Sequence, residues 1–100
     1  MQPAPPSPLD LNSALLAPAP HVVSRVIQER ALVLDHTRDE LRQLNEVGSL
    51  LWASLQEVPL SIEDLTERVV ERFEVEREEA RADVIAFARE LLELELITLR

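Results

Sequence analysis

Several residue types that support common kinds of functional site are missing or scarce in this sequence. Its 100 residues contain no cysteine, which excludes disulfide bonds and thiolate metal sites and agrees with a reducing compartment. A single glycine cannot form the glycine-rich loop that cradles phosphate groups. No Lys or Arg precedes Arg25, so a secretory signal is not predicted. The apolar pair Leu15-Leu16 is soon followed by Pro18 and Pro20, so a membrane span is not predicted either. We therefore expect a cytoplasmic protein.

Positive charge is also scarce. The chain has 10 Lys and Arg residues against 19 Asp and Glu residues, a net charge of -9. A DNA-binding protein needs a positive face to neutralise phosphates and release counterions. The segment predicted below as the third helix opens instead with Glu76-Arg77-Glu78-Glu79 and continues to Asp83. The charge pattern therefore disfavours nucleic acid and anionic membranes as partners.

The residues that could carry catalysis form no recognisable constellation. His21 and His36 are 15 positions apart and no third ligand is suggested, so a metal site is not predicted. The serines lack a recognisable base partner, and most acidic residues fall on helix faces expected to be exposed. The sequence predicts a protein that is not an enzyme and holds no cofactor.

Proline divides the chain into two parts. Six of its 7 prolines lie in the first 20 residues, where Asp10 is the only charged side chain. This composition predicts an extended, disordered tail over residues 1–20. Residues 21–100 are predicted to form one folded domain.

Strand signals come first in the predicted domain. The β-branched residues of Val22–Ile27 predict a strand, followed by a turn at residues 28–30 and a returning strand at Ala31–Asp35. Residues 36–39 are predicted as the next turn. Glu40–Leu44 is then predicted as a short third strand that leads directly into a helix.

Three helices are predicted after the strands. Asn45 can cap the first helix, which covers residues 45–56. Ser61 and Asp64 resemble a reciprocal capping box at the start of the second, which ends near Phe73. The third is predicted over Arg77–Leu94, and its apolar residues cover about half of its circumference, wider than the ~100° needed to face one core. Something is therefore expected to pack against its flank.

The segment Leu44–Trp52 holds the only glycine and the only tryptophan of the chain. Its apolar residues recur at helical spacing and form one stripe that continues to Leu55. Gly48 lies inside this stripe, where glycine costs about 1 kcal/mol relative to alanine. We therefore expect a neighbouring backbone to approach too closely for a Cβ at Gly48. Trp52 is predicted to lie in the core.

The same segment carries a family resemblance. The pattern L-N-x-V-G-x-x-x-W, with Ala82-Asp83-Val84, Phe87 and Leu91-Leu92 downstream, resembles the PqqD-like family, also called RiPP recognition elements. The resemblance runs from about His21 to Leu99. It implies an α+β, winged-helix-like fold in which a three-stranded antiparallel sheet is followed by three helices.

The resemblance also implies a function. Members of the family capture the leader segment of a ribosomally synthesised precursor peptide by strand addition and present it to a modifying enzyme. That enzyme is a radical SAM protein in pyrroloquinoline quinone (PQQ) biosynthesis, or a leader peptidase in lasso peptide biosynthesis. The alternative is a winged-helix regulatory or dimerisation module, and an exposed third strand could also pair with a second copy in a homodimer.

Two groups of site residues follow from the resemblance. Capture of the leader backbone is assigned to the third strand, at Leu41, Arg42 and Gln43. Pockets for leader side chains are assigned to the third helix, at Val84, Ile85 and Ala88. Val84 also fits the inner face of the helix, as a core residue.

Two charged residues of the third helix complete the predicted site. Arg81 is assigned to an acidic side chain of the leader, and Asp83 to a basic side chain or a backbone N–H. Asp83 also fits a purely structural role, since a negative charge is favourable in the N-terminal half of a helix.

Overall fold

The computed structural model describes residues 8–100, and the side chains of residues 11–100. It has an α+β fold in which a three-stranded antiparallel sheet is followed by three helices, as predicted. The strands are β1 (Leu15–Pro18), β2 (Val22–Ile27), β3 (Arg30–Asp35), β4 (Glu40–Gln43), β5 (Leu60–Ser61) and β6 (Ile97–Leu99). The helices are α1 (Glu46–Glu57), α2 (Ile62–Arg72) and α3 (Arg77–Glu93), and a short 3₁₀ helix, Pro8–Ser13, precedes β1. Within this part of the chain, no helix has the length and apolar character needed to cross a membrane.

The first sheet has the order β2-β3-β4 and forms from two consecutive antiparallel pairs. The three predicted strands are confirmed, with ends that shift by at most one residue. The tight turn between β2 and β3 places Gln28 and Glu29 at φ 51° and 65°. A two-residue hairpin of this type needs positive φ at both turn residues, because that turn matches the twist of the strands. Glycine and asparagine adopt positive φ more easily than Gln28 and Glu29 do.

A second sheet, with the order β5-β1-β6, corrects the predicted tail. Its central strand β1 lies within the first twenty residues, and Leu11, Leu16 and Ala19 are all buried. The prediction of an extended tail is therefore wrong for residues 8–19, while residues 1–7 lie outside the described residues. The prediction relied on the number of prolines. The apolar and small residues between those prolines have enough apolar surface to join the core.

Pro18 is tolerated in the central strand of this sheet because its nitrogen faces no partner strand. The Leu15 N–H donates to the Arg100 carbonyl at 3.0 Å, and the Ala19 N–H donates to the Leu96 carbonyl at 2.9 Å. The odd-numbered residues therefore bond toward β6, and by alternation the nitrogen of Pro18 points to the other side. The two-residue strand β5 on that side ends before it reaches Pro18.

Side-chain caps fix the starts of the first two helices. Asn45 accepts a hydrogen bond from the Gly48 N–H at 2.7 Å, which confirms the predicted cap of α1. The Ser61 hydroxyl accepts from the Asp64 N–H at 3.0 Å, and the Asp64 carboxylate accepts from the Ser61 N–H at 3.2 Å. The predicted capping box of α2 is thus present. After α3, Glu95 adopts φ 60° where a glycine is usual, and the chain turns into β6.

The core lies between the inner face of the first sheet, the second sheet and the helices. Trp52 is only 1% exposed, which confirms its assignment to the core. Its Nε1 is buried without a hydrogen-bond partner among the described residues. Leu16 of β1 is completely buried in the same cluster as the three helices, so the second sheet belongs to the one core.

Candidate functional site

The strand β4 forms an open edge of the first sheet, because no described strand pairs with its outer side. The Leu44 N–H donates to the Ala31 carbonyl at 2.9 Å, and this bond fixes the alternation of the ladder. Arg42, two residues earlier, therefore bonds inward to β3. The N–H and C=O groups of Leu41 and Gln43 point outward. The edge thus offers four backbone groups to an added strand.

This alternation divides the residues predicted for backbone capture. Leu41 and Gln43 have outward backbone groups, and the Leu41 side chain is 66% exposed. The assignment of Arg42 to backbone capture is wrong, since its N–H and C=O belong to the ladder with β3. The guanidinium of Arg42 instead lies 3.2 Å from the carboxylate of Glu40.

Ser49, which sequence reasoning missed, joins the end of β4 to α1. Its hydroxyl accepts from the Ala31 N–H at 2.8 Å and donates to the Leu44 carbonyl at 3.2 Å. These two groups would otherwise bond to each other as the last rung of the β3–β4 ladder. The inserted hydroxyl satisfies both and so fixes the point where the edge strand turns into the helix.

A groove of about 470 Å³ lies beside this junction, between the end of β4, the start of α1 and one face of α3. Its volume falls within the range of natural ligand sites, about 300–1,000 Å³. The lining residues are Gln43, Leu44, Asn45, Val47, Gly48, Asp83, Ala86, Phe87, Glu90 and Leu91. The open edge and the groove share Gln43, so one extended segment can contact both.

The close approach at Gly48 helps to shape this groove. A Cβ at Gly48 would lie 3.1 Å from the Oδ1 of Asn45 and 3.6 Å from the Cδ2 of Phe87. The expectation that a neighbouring backbone excludes the Cβ is therefore wrong. The tight neighbours are the capping side chain of α1 and an aromatic ring of α3, and the absent side chain leaves the groove open between the two helices.

The three residues predicted as side-chain pockets do not line the groove. Val84 and Ala88 are completely buried, and Ile85 is partly buried and packs against the core. This groove gives their assignment to pockets no support, and Val84 and Ala88 lie on the face of α3 that packs inward, as the alternative interpretation of Val84 held. The groove takes the adjacent stripe at Asp83, Ala86, Phe87 and Glu90, whose spacing of 3, 4 and 7 residues marks a single helix face. That spacing was readable in the sequence.

Arg81 also lies away from the groove. Its Nε is 3.1 Å from the Glu63 carboxylate of α2, and its terminal nitrogen donates to the side-chain oxygen of Asn12 at 2.7 Å. The assignment of Arg81 to an acidic leader side chain is corrected accordingly, since the guanidinium ties α3 to α2 and to the N-terminal segment. The Arg81 hydrogen bond, followed by that of Arg77, holds the pKa of Glu63 below its ordinary value.

A buried carboxylate fixes the turn that leads into β4. The Oδ1 of Asp35 accepts from the Thr37 hydroxyl at 2.7 Å and from the Thr37 N–H at 2.9 Å. The hydroxyl bond is the main cause that holds the pKa of Asp35 below its ordinary value of 3.8, with smaller contributions from backbone hydrogen bonds and His21. This turn includes Asp39 at φ 54° and delivers the chain to the start of the open edge.

The family model of coenzyme PQQ synthesis protein D (PqqD) matches residues 30–97, which include the edge, the junction and the groove. The chain belongs to the PqqD family. Among curated protein sequences, none is significantly similar to it.

Two solved structures share the PqqD-type fold seen here. TbiB1 in complex with the TbiA(beta) leader peptide is 26% identical, with a TM-score of 0.76 over 81% of this chain and 93% of that chain. A lasso peptide synthetase B1 complexed with its leader peptide is 24% identical, with a TM-score of 0.73 over 83% and 96% of the two chains. The second likeness concerns the fold alone.

Proposed function

We propose that this PqqD-family protein captures the leader segment of a ribosomally synthesised precursor peptide and presents it to a modifying enzyme. The leader adds as a strand along the open edge of β4 and places side chains in the adjacent groove. The observation that carries this proposal is the outward alternation of Leu41 and Gln43 beside a groove with an apolar centre at Ala86 and Phe87. Edge-strand addition uses these two elements together, since backbone groups give affinity and pockets give specificity.

Simple energetics require both elements. The four outward backbone groups supply about 4 kcal/mol at ~1 kcal/mol net for each hydrogen bond. Ordering a disordered peptide costs about 2–5 kcal/mol, so strand addition alone gives almost no binding. Micromolar affinity corresponds to about -8 kcal/mol. Burying two or three apolar side chains at about 1.5–3 kcal/mol each closes the difference, and the groove is where they would be buried.

The comparisons support the class of ligand. TbiB1 is 26% identical to this chain and was solved with a leader peptide, and this chain covers 93% of it. In the proposed function the chemistry belongs to the partner, either a radical SAM protein or a leader peptidase, and this protein binds without catalysis. Because the precursor is made on ribosomes, the complex would form in the cytoplasm.

The test is a titration with labelled leader segments of the precursor peptides encoded beside this protein. We expect saturable binding with a Kd below about 100 μM for at least one of them, a level that the energetics above readily supply. Absence of saturable binding by every encoded leader would overturn the proposal. Retention of DNA at low salt, or a stable dimer without peptide affinity, would favour the regulatory or dimerisation alternative instead.

A pair of matched variants separates the groove from general effects on α3. Ala86 and Ala82 are both exposed on this helix, but only Ala86 lines the groove. Ala86→Trp should fill the groove and lower leader affinity at least tenfold, since an affinity this modest depends on burial there. Ala82→Trp should leave affinity within about twofold of the parent. Equal effects of the two variants would contradict the placement of leader side chains in the groove.

A further inference from the structure

The groove beside β4 carries charge of only one sign. Among its lining residues the charged side chains are Asp83 and Glu90, and both are carboxylates. Within the described chain, neither has a basic group within salt-bridge distance, although Glu63 and Glu67 on the neighbouring helix do. The groove therefore presents two negative charges without partners of its own.

Three arginines of the neighbouring segments do not compensate these charges, because each is engaged elsewhere. The guanidinium of Arg42 pairs with Glu40 at 3.2 Å. That of Arg81 is held by Glu63 at 3.1 Å, on the α2 side of α3. Arg38 donates to the Leu94 carbonyl at 2.9 Å, at the far end of α3. Loss of Arg81 from the predicted site removes the one positive charge that had been assigned to a leader side chain.

The two carboxylates lie on either side of an apolar centre. Asp83 and Glu90 are seven residues apart on α3, or about 10.5 Å along the helix axis, and Ala86 and Phe87 lie between them. In an extended segment, residues two positions before and after a central residue share its face and are separated by about 13 Å. The flexible side chains of Lys and Arg accommodate this difference. An apolar residue flanked by two basic ones thus matches the groove in spacing and charge.

We propose that the groove selects leader segments in which an apolar anchor is flanked by lysine or arginine, and discriminates against acidic flanks. This inference rests on the proposed function and specifies its substrate class. The apolar anchor fills the space over Ala86 and Phe87, and the basic flanks meet Asp83 and Glu90. An acidic flank would instead bring a like charge against a carboxylate beside a partly desolvated surface, which is unfavourable.

The overall charge of -9 also attracts basic peptides, so the test must separate local from global electrostatics. The variant Asp83→Asn/Glu90→Gln removes both groove charges. Its control, Glu71→Gln/Glu78→Gln, changes the net charge by the same amount at two exposed residues outside the groove. Long-range attraction changes equally in both, whereas local selection changes only in the first.

The experiment uses the full chain and the encoded leader that binds best, synthesised with Lys, Gln or Glu at the two flanks of its apolar anchor. By fluorescence anisotropy we expect the Lys peptide to bind the parent about tenfold more tightly than the Glu peptide. The Lys flanks make two weak surface ion pairs with the groove carboxylates, whereas the Glu flanks bring two like charges against them. The groove variant should lose most of this preference, and the control variant should keep it. The reversed protein Asp83→Arg/Glu90→Arg should prefer the Glu peptide.

The possible outcomes distinguish this inference from the proposed function. If the three peptides bind the parent equally, or if the groove and control variants lose the preference equally, charge selection by the groove is wrong while leader binding stands. If the reversed protein still prefers the Lys peptide, the selection arises elsewhere and the inference fails again. If no encoded leader binds the parent, the proposed function fails together with the inference.

Discussion

A proline scan along β4 tests the direction in which each backbone group of the edge points. Proline has no N–H and places a ring carbon where the hydrogen would be. At Leu41 or Gln43 the lost donor faces outward, so the sheet keeps its own hydrogen bonds. At Arg42 the lost donor belongs to the ladder with β3. We therefore expect the effect of proline to alternate between affinity and stability along three consecutive residues.

The two effects differ in size. Loss of one hydrogen bond to the leader weakens binding by about 0.5–1.5 kcal/mol, or roughly 2- to 12-fold. The ring carbon also keeps the added strand from approaching to the usual ~4.8 Å, so we expect at least a tenfold loss at Leu41 and Gln43. Arg42→Pro instead leaves the carbonyl of Val33, a residue only 1% exposed, without its donor. This should lower the free energy of unfolding by about 1–3 kcal/mol.

Two measurements on each variant separate these effects. Urea denaturation gives the free energy of unfolding, and anisotropy with the labelled leader gives the affinity. In the parent, amide hydrogen exchange should show that leader binding protects Leu41 and Gln43, while Arg42 is protected in both states. Affinity losses that are equal at all three positions, or absent at Leu41 and Gln43, would refute strand addition at this edge.

Three further substitutions have expected outcomes. Ser49→Ala should lower the free energy of unfolding by about 1–3 kcal/mol in a urea titration, because the buried Ala31 N–H loses its acceptor. Ser54→Ala should cost less, because its hydroxyl donates back within α1 and accepts only a long bond of 3.5 Å from the Arg68 guanidinium. Equal costs would contradict the bridging role of Ser49. Thr37→Ala should raise the pKa of Asp35. A lowered carboxyl pKa stabilises the fold above the ordinary value of 3.8, and this contribution disappears as pH falls through the lowered value. The loss of stability in the variant should therefore be present at neutral pH and shrink in acid. A loss of stability that does not change with pH would refute this origin. Arg81→Gln should leave leader affinity within about twofold of the parent, because the guanidinium contacts Glu63 and Asn12 away from the groove. A tenfold or greater loss of affinity would show that Arg81 belongs to the site.

The local elements of this fold could be read from the sequence because each depends on short-range physics. The β-branched run of β2 and the caps at Asn45 and Ser61 use only neighbouring residues, and all of them are present. The family resemblance rests in the same way on two short runs of residues, one at the start of α1 and one on α3, and the family match confirms it. The sequence therefore predicted the two elements that form the site, β4 and α3.

Long-range arrangement accounts for what the sequence did not predict. Composition concealed β1, because its partners β5 and β6 are about 45 and 80 residues further along the chain and neither is long enough to signal a sheet alone. Both Asp83 and Val84 were assigned to the site, but only Asp83 lines the groove, because neighbouring positions on a helix differ by 100° and the rotation of α3 against the core buries Val84. The direction of each backbone group in β4 depends on the register set by Leu44 and Ala31. These three facts are tertiary: the first corrects the predicted tail, and the other two change the assigned site.

The junction between β4 and α1 makes the edge and the groove one site. Over six residues the chain closes the ladder at Leu44, caps the helix at Asn45, leaves space for Phe87 at Gly48 and bridges strand to helix through Ser49. A leader that pairs with Gln43 is thereby held at a fixed distance from the groove that takes its side chains. Because that distance is set by hydrogen bonds in the free protein, little of the binding energy is needed to order the site. Under the proposed function, the remaining cost falls on the peptide, and its pattern of apolar and charged side chains would decide whether it is bound.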